Sequence, residues 1–387
     1  MHGITLTKAP ADWEILQQEN GKATVALKGN FQVHPAAIEV GVERVTPVVR
    51  VMSEDDNMTV IPWTNADHFT CNEKFQGEFE VTLEIPAGGP YRIDTSLETK
   101  STVPDLTWLY RGDCVLHLGV GNLFIIAGQS NSAGYSRDFC IDPPSMDVHL
   151  YRNRSKWDIA SHPMNESTFA RSLANEEMGV PGVSPYLAFG KTYGKMTGMP
   201  VGLIQTSLGG SPMERWNPKD GDLYLNMVDK IHETGGRYAG VLWYQGCSDT
   251  NPGPAEKYLE HFREYVEATR KELGYEIPFF TMQLNRQING INDECWGMVR
   301  DAQARAAKEI PGVSVLTTSN LSLCDGIHNT AQANVALGEK LAKQCAHVLN
   351  GKEEYQPPEL VKVERADEAE RKSFQLEGSG IWLKLTC

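Results

Sequence analysis

The stretch from Leu123 to Gly134, LFIIAGQSNSAG, constrains the fold of this chain more than any other stretch. It begins with four consecutive apolar residues, which is typical of a buried strand in a parallel sheet. Ala127 and Gly128 then allow a sharp turn, and the polar run QSNS follows. Ligands and reacting groups collect at the carboxyl ends of the strands in an open α/β sheet. Ser130 is therefore either a nucleophile that faces a pocket or a helix N-cap, a position that serine often occupies.

The rest of the chain after Gly119 alternates short apolar runs with longer helical patterns. This alternation is typical of a parallel sheet with crossover helices. The predicted strands are 122–127, 200–206, 239–244, 278–283 and 313–318, and the predicted helices are 184–197, 222–235, 255–273, 292–310 and 330–349. The pattern predicts an α/β fold with a doubly wound, flavodoxin-like, three-layer arrangement. Residues 136–180 fit neither pattern and predict a long insertion at the rim of a pocket.

The first 110 residues predict a small all-β domain of the sandwich type. Its strands are expected at 23–27, 37–42, 48–51 and 79–85, with turns at 29–30, 55–57 and 86–90. A polar, proline-containing stretch from Thr99 to Asp113 predicts the boundary, so the α/β domain is expected to span 111–355. The remaining segment, 356–387, predicts strands at 373–376 and 381–385. We expect it to return to a β layer, and that of the N-terminal domain is one candidate.

The composition excludes several classes of function. The chain has 36 Lys and Arg against 50 Asp and Glu, a net charge of −14, which argues against non-specific binding to nucleic acid or to anionic membranes. The eight cysteines include no CxxC pair, so zinc-type spacing is absent. No other pattern calls for a cofactor, and we expect none. The first twenty residues lack a basic region followed by an apolar stretch. This predicts a cytoplasmic protein, although a secreted chain without its leader would look the same.

A second candidate for chemistry is the sequence Asp325-Gly326-Ile327-His328, between the last predicted strand and the last predicted helix. At that edge of the sheet, His328 could reach Ser130 as a general base. Asp325 could then orient the imidazole and stabilise its charged form. The alternative is that both are ordinary loop and cap residues, for which aspartate is well suited.

Two further strand ends carry potential donors for an oxyanion. The sequence SLGGS follows the strand at 200–206, and its two glycines, Gly209 and Gly210, free backbone N–H groups for a close approach to a ligand. Gln245 follows the strand at 239–244 with a side-chain amide. Acyl transfer needs donors aimed where negative charge develops on the carbonyl oxygen. The backbone N–H of Ser130, that of Gly209 or Gly210, and the Gln245 amide would supply three.

These four blocks together resemble the successive blocks of SGNH hydrolases. The blocks are GQSN at 128–131, GG at 209–210 followed by ERW at 214–216, WYQG at 243–246 and DGIHN at 325–329. More narrowly, they are similar to the sialate O-acetylesterase and acetyl-xylan esterase branch, over residues 119–350. The resemblance implies a metal-free serine esterase that removes acetyl groups from sugars through an acetyl-enzyme.

Carried over residue by residue, the resemblance implies that Ser130 is the nucleophile, His328 the base and Asp325 its orienting acid. The implied oxyanion donors are Ser130, Gly209 or Gly210, and Gln245. One position departs from the pattern, because Cys247 stands where the family usually has glutamate. A thiol cannot carry the charge of a carboxylate or accept two hydrogen bonds as a carboxylate does.

The predicted substrate contacts are Gln129, Asn131, Arg215 and Trp216. Aromatic faces stack on sugar rings, and an arginine fork matches a carboxylate such as that of sialic acid. The expected partner is a small-molecule or oligosaccharide acetyl ester, with no nucleic acid and no membrane. Two alternatives remain at this point: an esterase or thioesterase for non-sugar esters, and a non-catalytic carbohydrate-binding protein with a degenerate esterase fold.

Overall fold

The computed structural model describes residues 2–39, 41–102, 105–288, 290–350, 362–365, 367 and 383–386 of the 387-residue chain. The strands are β1 (Gly3–Lys8), β2 (Ile15–Gln17), β3 (Lys22–Gln32), β4 (Val42–Ser53), β5 (Thr59–Asn65), β6 (His68–Phe69), β7 (Gln76–Pro86), β8 (Gly88–Thr102), β9 (Asp105–Gly128), β10 (Val148–Tyr151), β11 (Trp157–Ile159), β12 (Val201–Gln205), β13 (Gly240–Tyr244), β14 (Phe279–Met282), β15 (Val313–Leu316), β16 (Lys362–Arg365) and β17 (Leu383–Thr386). The helices are α1 (Pro35–Glu39), α2 (Ser130–Ala133), α3 (Tyr186–Thr197), α4 (Asp222–Glu233), α5 (Pro254–Leu273), α6 (Asp293–Glu309) and α7 (Ala331–Asn350).

The five strands predicted after Gly119 all form and lie side by side in the order β12-β9-β13-β14-β15. Every neighbouring pair among them is parallel. Numbered along the chain, this order is 2-1-3-4-5, the flavodoxin-like order. The large sheet is mixed rather than purely parallel. β10 adds a parallel strand beside β12, and β11 pairs antiparallel with β10 at the edge.

β10 and β11 lie inside residues 136–180, for which the sequence predicted no regular structure. Both strands are short, with four and three residues, so they give little periodic signal. All four residues of β10 are buried, since the strand packs into the sheet next to β12. The five predicted helices also form as α3 to α7, with ends within a few residues of those predicted.

The core of the α/β region forms because the central strands are apolar on both faces. Phe124, Ile125 and Ile126 in β9 are completely buried, as expected for a strand covered by helices on both sides. Helix α5 contributes Phe262 and Tyr265 from one face, and both rings pack against Trp243 of β13. The apolar runs of the sequence therefore become the middle layer, and the amphipathic helices cover it.

Most strands before residue 119 form two antiparallel layers that enclose a second core, whereas β2 pairs in parallel with β9 at residues 119–121. One layer has the order β1-β3-β7-β6, and the other joins β5, β4, β8 and the first half of β9. β9 has 24 residues and continues from this second layer into the α/β sheet. The position predicted as a domain boundary, 110/111, therefore lies within a strand. The division of the chain into separate domains stays a prediction.

Two local predictions in this region are wrong. Residues 37–39, predicted as the start of a strand, belong to α1, and only Val42 of that run begins β4. The predicted turn at Gly29-Asn30 lies inside β3, where Gly29 pairs with Phe79 of β7. A Cβ atom on Gly29 would lie 2.5 Å from the Thr5 oxygen and 2.7 Å from the Phe79 ring. The glycine is required there by close packing rather than by a turn.

The C-terminal part is described only in pieces. β16 and β17 pair antiparallel as a two-stranded sheet, and β17 overlaps the strand predicted at 381–385. The strand predicted at 373–376 lies outside the described residues. The packing of this segment on the N-terminal β layer stays a prediction. No helix in the described part of the chain is both long enough and apolar enough to cross a membrane.

Candidate active site

A sharp turn at Gly128 places Ser130 at the carboxyl edge of the central strand. Gly128 has φ +127°, and a Cβ atom there would lie 2.3 Å from the backbone oxygen of Tyr244, so the turn requires glycine. Ser130 is the first residue of α2, and the N-cap of that helix is Gln129. The Ser130 hydroxyl therefore does not serve as the N-cap, which was the structural alternative to a nucleophile.

The loop after β15 brings His328 and Asp325 to Ser130. The His328 Nε2 atom lies 2.9 Å from the Ser130 Oγ atom, and the His328 Nδ1 atom lies 2.6 Å from the Asp325 Oδ2 atom. A carboxylate oxygen can only accept, so Nδ1 carries the proton and Nε2 is free to accept the hydroxyl proton of Ser130. The three side chains form a continuous relay from a carboxylate through an imidazole to a hydroxyl.

Asp325 is held in the charged form that this relay needs. Partial burial raises the pKa of its carboxyl, but hydrogen bonds from the backbone N–H of Ile327, from the His328 ring and from the His328 N–H outweigh that effect. The net result is a pKa below the ordinary value for aspartate. Asp325 Oδ1 accepts both backbone N–H groups, at 2.9 and 2.7 Å, which leaves Oδ2 for the imidazole.

The loop that carries His328 is fastened to the rest of the site by buried amides. Asn131 donates to the Ile327 oxygen at 3.2 Å and accepts from the Asn329 N–H at 3.1 Å. The Asn329 side chain in turn bonds to Asn285, Tyr244 and Asn334. Asn329 is completely buried, so these bonds satisfy its polar atoms. This network fixes the position of the imidazole relative to α2.

Two of the four predicted oxyanion donors are already used. The Gly209 N–H donates to the Glu177 Oε2 atom at 2.8 Å. The Gln245 amide nitrogen donates to the Ser211 oxygen at 3.1 Å and to the Asp249 Oδ2 atom at 2.5 Å, and Gln245 is completely buried. An amide nitrogen has only two protons, so Gln245 has none left for a substrate oxygen. The prediction of Gly209 and Gln245 as oxyanion donors is therefore corrected for this arrangement.

Gly210 and Ser130 remain as candidates for stabilising an oxyanion. Gly210 is exposed and has φ +67°, a conformation that favours glycine, and a Cβ atom there would meet nothing within 4 Å. Its surroundings are therefore open enough for a ligand to approach the backbone. The N–H of Ser130 lies in the first turn of α2, where helical N–H groups have no intrahelical partner.

The comparisons with known proteins agree on one family. Residues 120–347, more than half of the chain, match the family model described as carbohydrate esterase, sialic acid-specific acetylesterase. The chain belongs to this family. It is also 29% identical over 246 residues to a probable carbohydrate esterase from Arabidopsis thaliana, a match that covers 57% of this chain and 88% of the relative.

Solved structures give the same picture of the fold. An Arabidopsis thaliana protein superposes with a TM-score of 0.52 at 25% identity, covering 59% of this chain and 99% of that one. A carbohydrate acetylesterase from Xanthomonas citri superposes with a TM-score of 0.55 at 20% identity, covering 94% of this chain and 79% of that one. The family model and the Arabidopsis relative show that the chain is a carboxylic ester hydrolase of the carbohydrate esterase family.

Two predicted substrate contacts of this carbohydrate esterase are buried beside Ser130. Gln129 is 3% exposed, and its Oε1 atom accepts the N–H groups of Gly246 and Ser248 at 2.9 and 3.1 Å. Asn131 is 2% exposed and holds the His328 loop, as described above. Both amides join the loops that surround Ser130, and their contact with a substrate stays a prediction.

The other two predicted contacts, Arg215 and Trp216, are also used within the esterase. Arg215 forms a two-point ion pair with Asp222, at 2.9 and 2.6 Å, and donates to the Ala174 oxygen at 3.0 Å. Trp216 is completely buried, and its ring packs against Trp243. An arginine that is paired in this way lacks a free fork for a substrate carboxylate, and a buried indole cannot stack on a sugar.

Cys247 follows Gly246 in the short 3₁₀ turn Cys247–Asp249. Burial raises the pKa of its thiol to about 12, so the thiol is uncharged at neutral pH. The esterase therefore has no ionised group at the position where the family usually has glutamate. Among the described residues, no cluster of His, Cys, Asp and Glu has the geometry to hold a metal ion.

The site also contains residues that the sequence did not single out. The Tyr135 ring lies against the His328 ring, with centroids 5.3 Å apart and an angle of 31° between the planes. The Tyr135 hydroxyl donates to the Glu177 Oε1 atom at 2.6 Å. Tyr135 lies five residues after Ser130, and this closeness in sequence is the one signal that could have pointed to it. Glu177 lies in the predicted rim insertion, but no local pattern distinguishes it there.

Proposed function

We propose that this carbohydrate esterase removes O-acetyl groups from a sugar by a serine mechanism with an acetyl-enzyme intermediate. The observation that carries the proposal is the hydrogen-bonded relay of Ser130, His328 and Asp325. Its two distances, 2.9 and 2.6 Å, are within the range in which a base activates a hydroxyl nucleophile.

The first half of the reaction transfers the acetyl group to the enzyme. Ser130 Oγ attacks the acetyl carbonyl carbon while its proton passes to His328 Nε2, and Asp325 stabilises the imidazolium that results. The carbonyl oxygen gains negative charge, for which the N–H groups of Ser130 and Gly210 are the proposed donors. The tetrahedral intermediate collapses, the bond to the sugar oxygen breaks, and His328 returns the proton to that oxygen.

The second half releases acetate and regenerates the enzyme. His328 Nε2 takes a proton from a water molecule as the water oxygen attacks the acetyl-enzyme carbonyl. A second tetrahedral intermediate collapses, the bond to Ser130 Oγ breaks, and the proton on His328 passes to Ser130. The balance is one ester and one water consumed, and one sugar hydroxyl, one acetate and one proton formed, the proton coming from ionisation of the released acetic acid.

The substrate is proposed to be an acetylated carbohydrate, which rests on the family rather than on contacts in the site. Acetylated sialic acid and acetylated hemicellulose sugars are both candidates. Arg215, the arginine that was predicted to bind the sialic acid carboxylate, is paired with Asp222. A carboxylate-dependent mode of recognition therefore has no support from that residue.

Acetate release from a panel of acetylated sugars tests the proposal, combined with labelling by a fluorophosphonate probe and peptide mapping. We expect Ser130→Ala to abolish both and His328→Ala to lower both by at least about 10³-fold. His232→Ala is the matched control, since His232 is an exposed histidine of α4 that pairs with Glu272. Wild-type protein that folds but neither releases acetate nor takes up the label would overturn the serine mechanism.

A further inference from the structure

The carboxylate of Glu177 joins two parts of the site that lie far apart in the chain. Its Oε1 atom accepts from the Tyr135 hydroxyl at 2.6 Å and from the Gly179 N–H at 3.0 Å. Its Oε2 atom accepts from the Gly209 N–H at 2.8 Å and from the Asn165 amide at 2.9 Å. All four donors are neutral groups, so hydrogen bonds rather than salt bridges to these groups hold the carboxylate in place.

Tyr135 and Gly209 are packed against each other at this carboxylate. A Cβ atom on Gly209 would lie 2.2 Å from the Tyr135 hydroxyl oxygen, so the tyrosine can occupy this position only beside a glycine. Burial and the hydrogen bond to Glu177 raise the pKa of the Tyr135 hydroxyl, which therefore remains a donor. Its ring is then fixed against the face of His328.

We infer that Glu177 is a positioning residue for the esterase reaction. It acts on the Gly209–Gly210 segment and on the Tyr135 ring that packs against the imidazole of His328. This inference rests on the proposed function and extends it to a residue that does not touch the reacting atoms. By accepting the Gly209 N–H, Glu177 fixes the peptide next to Gly210, whose N–H is the proposed glycine donor. By accepting the Tyr135 hydroxyl, it fixes the ring that covers one face of His328.

A purely structural role for Glu177 predicts something different. If the carboxylate only anchored residues 136–180 to the body of the protein, its loss would lower stability without a selective effect on the chemical step. If it positions the donor and the imidazole, its loss lowers kcat with little change in KM. A misplacement of about 1 Å at such groups can cost about 10²-fold in rate.

Glu177→Gln separates the two roles, because glutamine keeps the size of the side chain but replaces one acceptor oxygen with a donor amide. Either the Tyr135 and Gly179 pair or the Gly209 and Asn165 pair then loses its acceptor. We expect kcat for an acetylated sugar or for p-nitrophenyl acetate to fall about 10- to 100-fold, with KM changed less than threefold. Glu176→Gln, the exposed neighbouring glutamate, is the matched control and is expected to behave like wild type.

Tyr135→Phe provides a second variant that keeps the ring and removes only the hydroxyl. We expect a smaller fall in kcat in the same direction, because only one of the four hydrogen bonds of Glu177 is removed. The double variant with Glu177→Gln should be non-additive, since the two side chains are direct hydrogen-bond partners. The pH–rate profiles of both variants should keep the wild-type shape at a lower plateau. A changed shape would mean that Glu177 takes part in proton transfer, and would overturn the positioning role.

The outcomes distinguish this inference from the proposed function. If wild-type protein is active and Glu177→Gln has wild-type kcat, the inference is wrong and the serine mechanism stands. If Glu177→Gln melts far below wild type while folded Tyr135→Phe keeps full kcat, Glu177 is a structural anchor and the inference is again wrong. If wild-type protein has no esterase activity, the proposed function fails and the positioning role fails with it.

Discussion

The side chain of Asn131 accepts a hydrogen bond from the backbone N–H of Asn329 at 3.1 Å, although 198 residues separate the two in the chain. The same amide donates to the backbone oxygen of Ile327 at 3.2 Å. Asn131, which follows Ser130 in the chain, thus binds the residues on both sides of His328. This bridge therefore helps to fix the distance between Ser130 and His328.

Replacing this bridge should affect both stability and rate. Asn131→Ala leaves the Asn329 N–H and the Ile327 oxygen without these partners, which costs about 1–3 kcal/mol in buried surroundings. We expect a lower urea midpoint and a fall in kcat of about tenfold or more, because His328 is held less accurately. Urea unfolding and steady-state kinetics measure the two effects. Asn320→Ala, an exposed asparagine, should change neither, and a fully active Asn131→Ala would contradict the bridge.

The sequence locates the relay well because each of its members follows a strand that can be recognised. Ser130 comes directly after the apolar run 123–126, and Asp325 and His328 lie between the last strand and the last helix. In a parallel sheet those ends meet at one edge, so proximity follows from the order of the elements. The alternation of apolar runs and helical patterns predicts the parallel sheet with its covering helices, and the order 2-1-3-4-5 is one of the common orders for such a sheet.

The hydrogen-bond partners of the predicted donors could not be predicted in the same way. Gly209 and Gln245 stand at the expected strand ends, but their N–H groups are taken by Glu177 and Asp249. Glu177 lies 32 residues before Gly209, in a segment whose position depends on tertiary packing. Asp249 lies only four residues after Gln245, but the sequence pattern does not show that the turn Cys247–Asp249 directs its carboxylate back to that amide. Gln129 and Trp216 likewise have residue types suited to a ligand, and only the packing shows that they are buried.

The lowered pKa of Asp325 should make the stability of the folded protein depend on pH in the acidic range. Its folded-state pKa is lowered, so its contribution to stability is present above the unfolded pKa of about 3.9 and is lost as pH falls through the folded pKa. The difference in the free energy of unfolding between wild type and Asp325→Asn should therefore be largest near neutral pH and shrink below about pH 4. Urea unfolding from pH 3 to 7 measures it. A difference that grows toward acid would contradict the direction of the shift.

The buried ammonium group of Lys230 should make the stability of the folded protein depend on pH above neutrality. It is 3% exposed and donates to Asn153, Asn175 and the Gln205 oxygen, and burial lowers the pKa of its ammonium to about 7. Between that value and the unfolded pKa of about 10.4, the unfolded chain binds more protons at Lys230, so folding becomes more favourable as pH rises.

The comparison of wild type with Lys230→Met isolates this effect, since the other titrating groups are common to both. We expect the stability of wild type relative to the variant to rise between pH 7 and 9, by up to about 1.4 kcal/mol per pH unit. Lys195→Met, which changes an exposed lysine of α3, is the matched control. A difference for Lys230→Met that does not depend on pH would show that its ammonium titrates normally.

Replacing Arg215 should leave KM nearly unchanged, whereas replacing an arginine that binds substrate would raise it. Because its guanidinium is paired with Asp222 and is only one third exposed, Arg215→Ala should leave KM for acetylated sialic acid and for a neutral acetylated sugar within about twofold of wild type. The free energy of unfolding should fall by no more than about 1 kcal/mol, as is usual for a surface ion pair. Asp222→Ala should produce the same small loss, and the double variant should add little to it. If Arg215→Ala, but not Asp222→Ala, raised KM selectively for acetylated sialic acid by tenfold or more, the arginine would leave its partner to bind the substrate carboxylate, and the pair seen here would be the resting arrangement of a recognition residue.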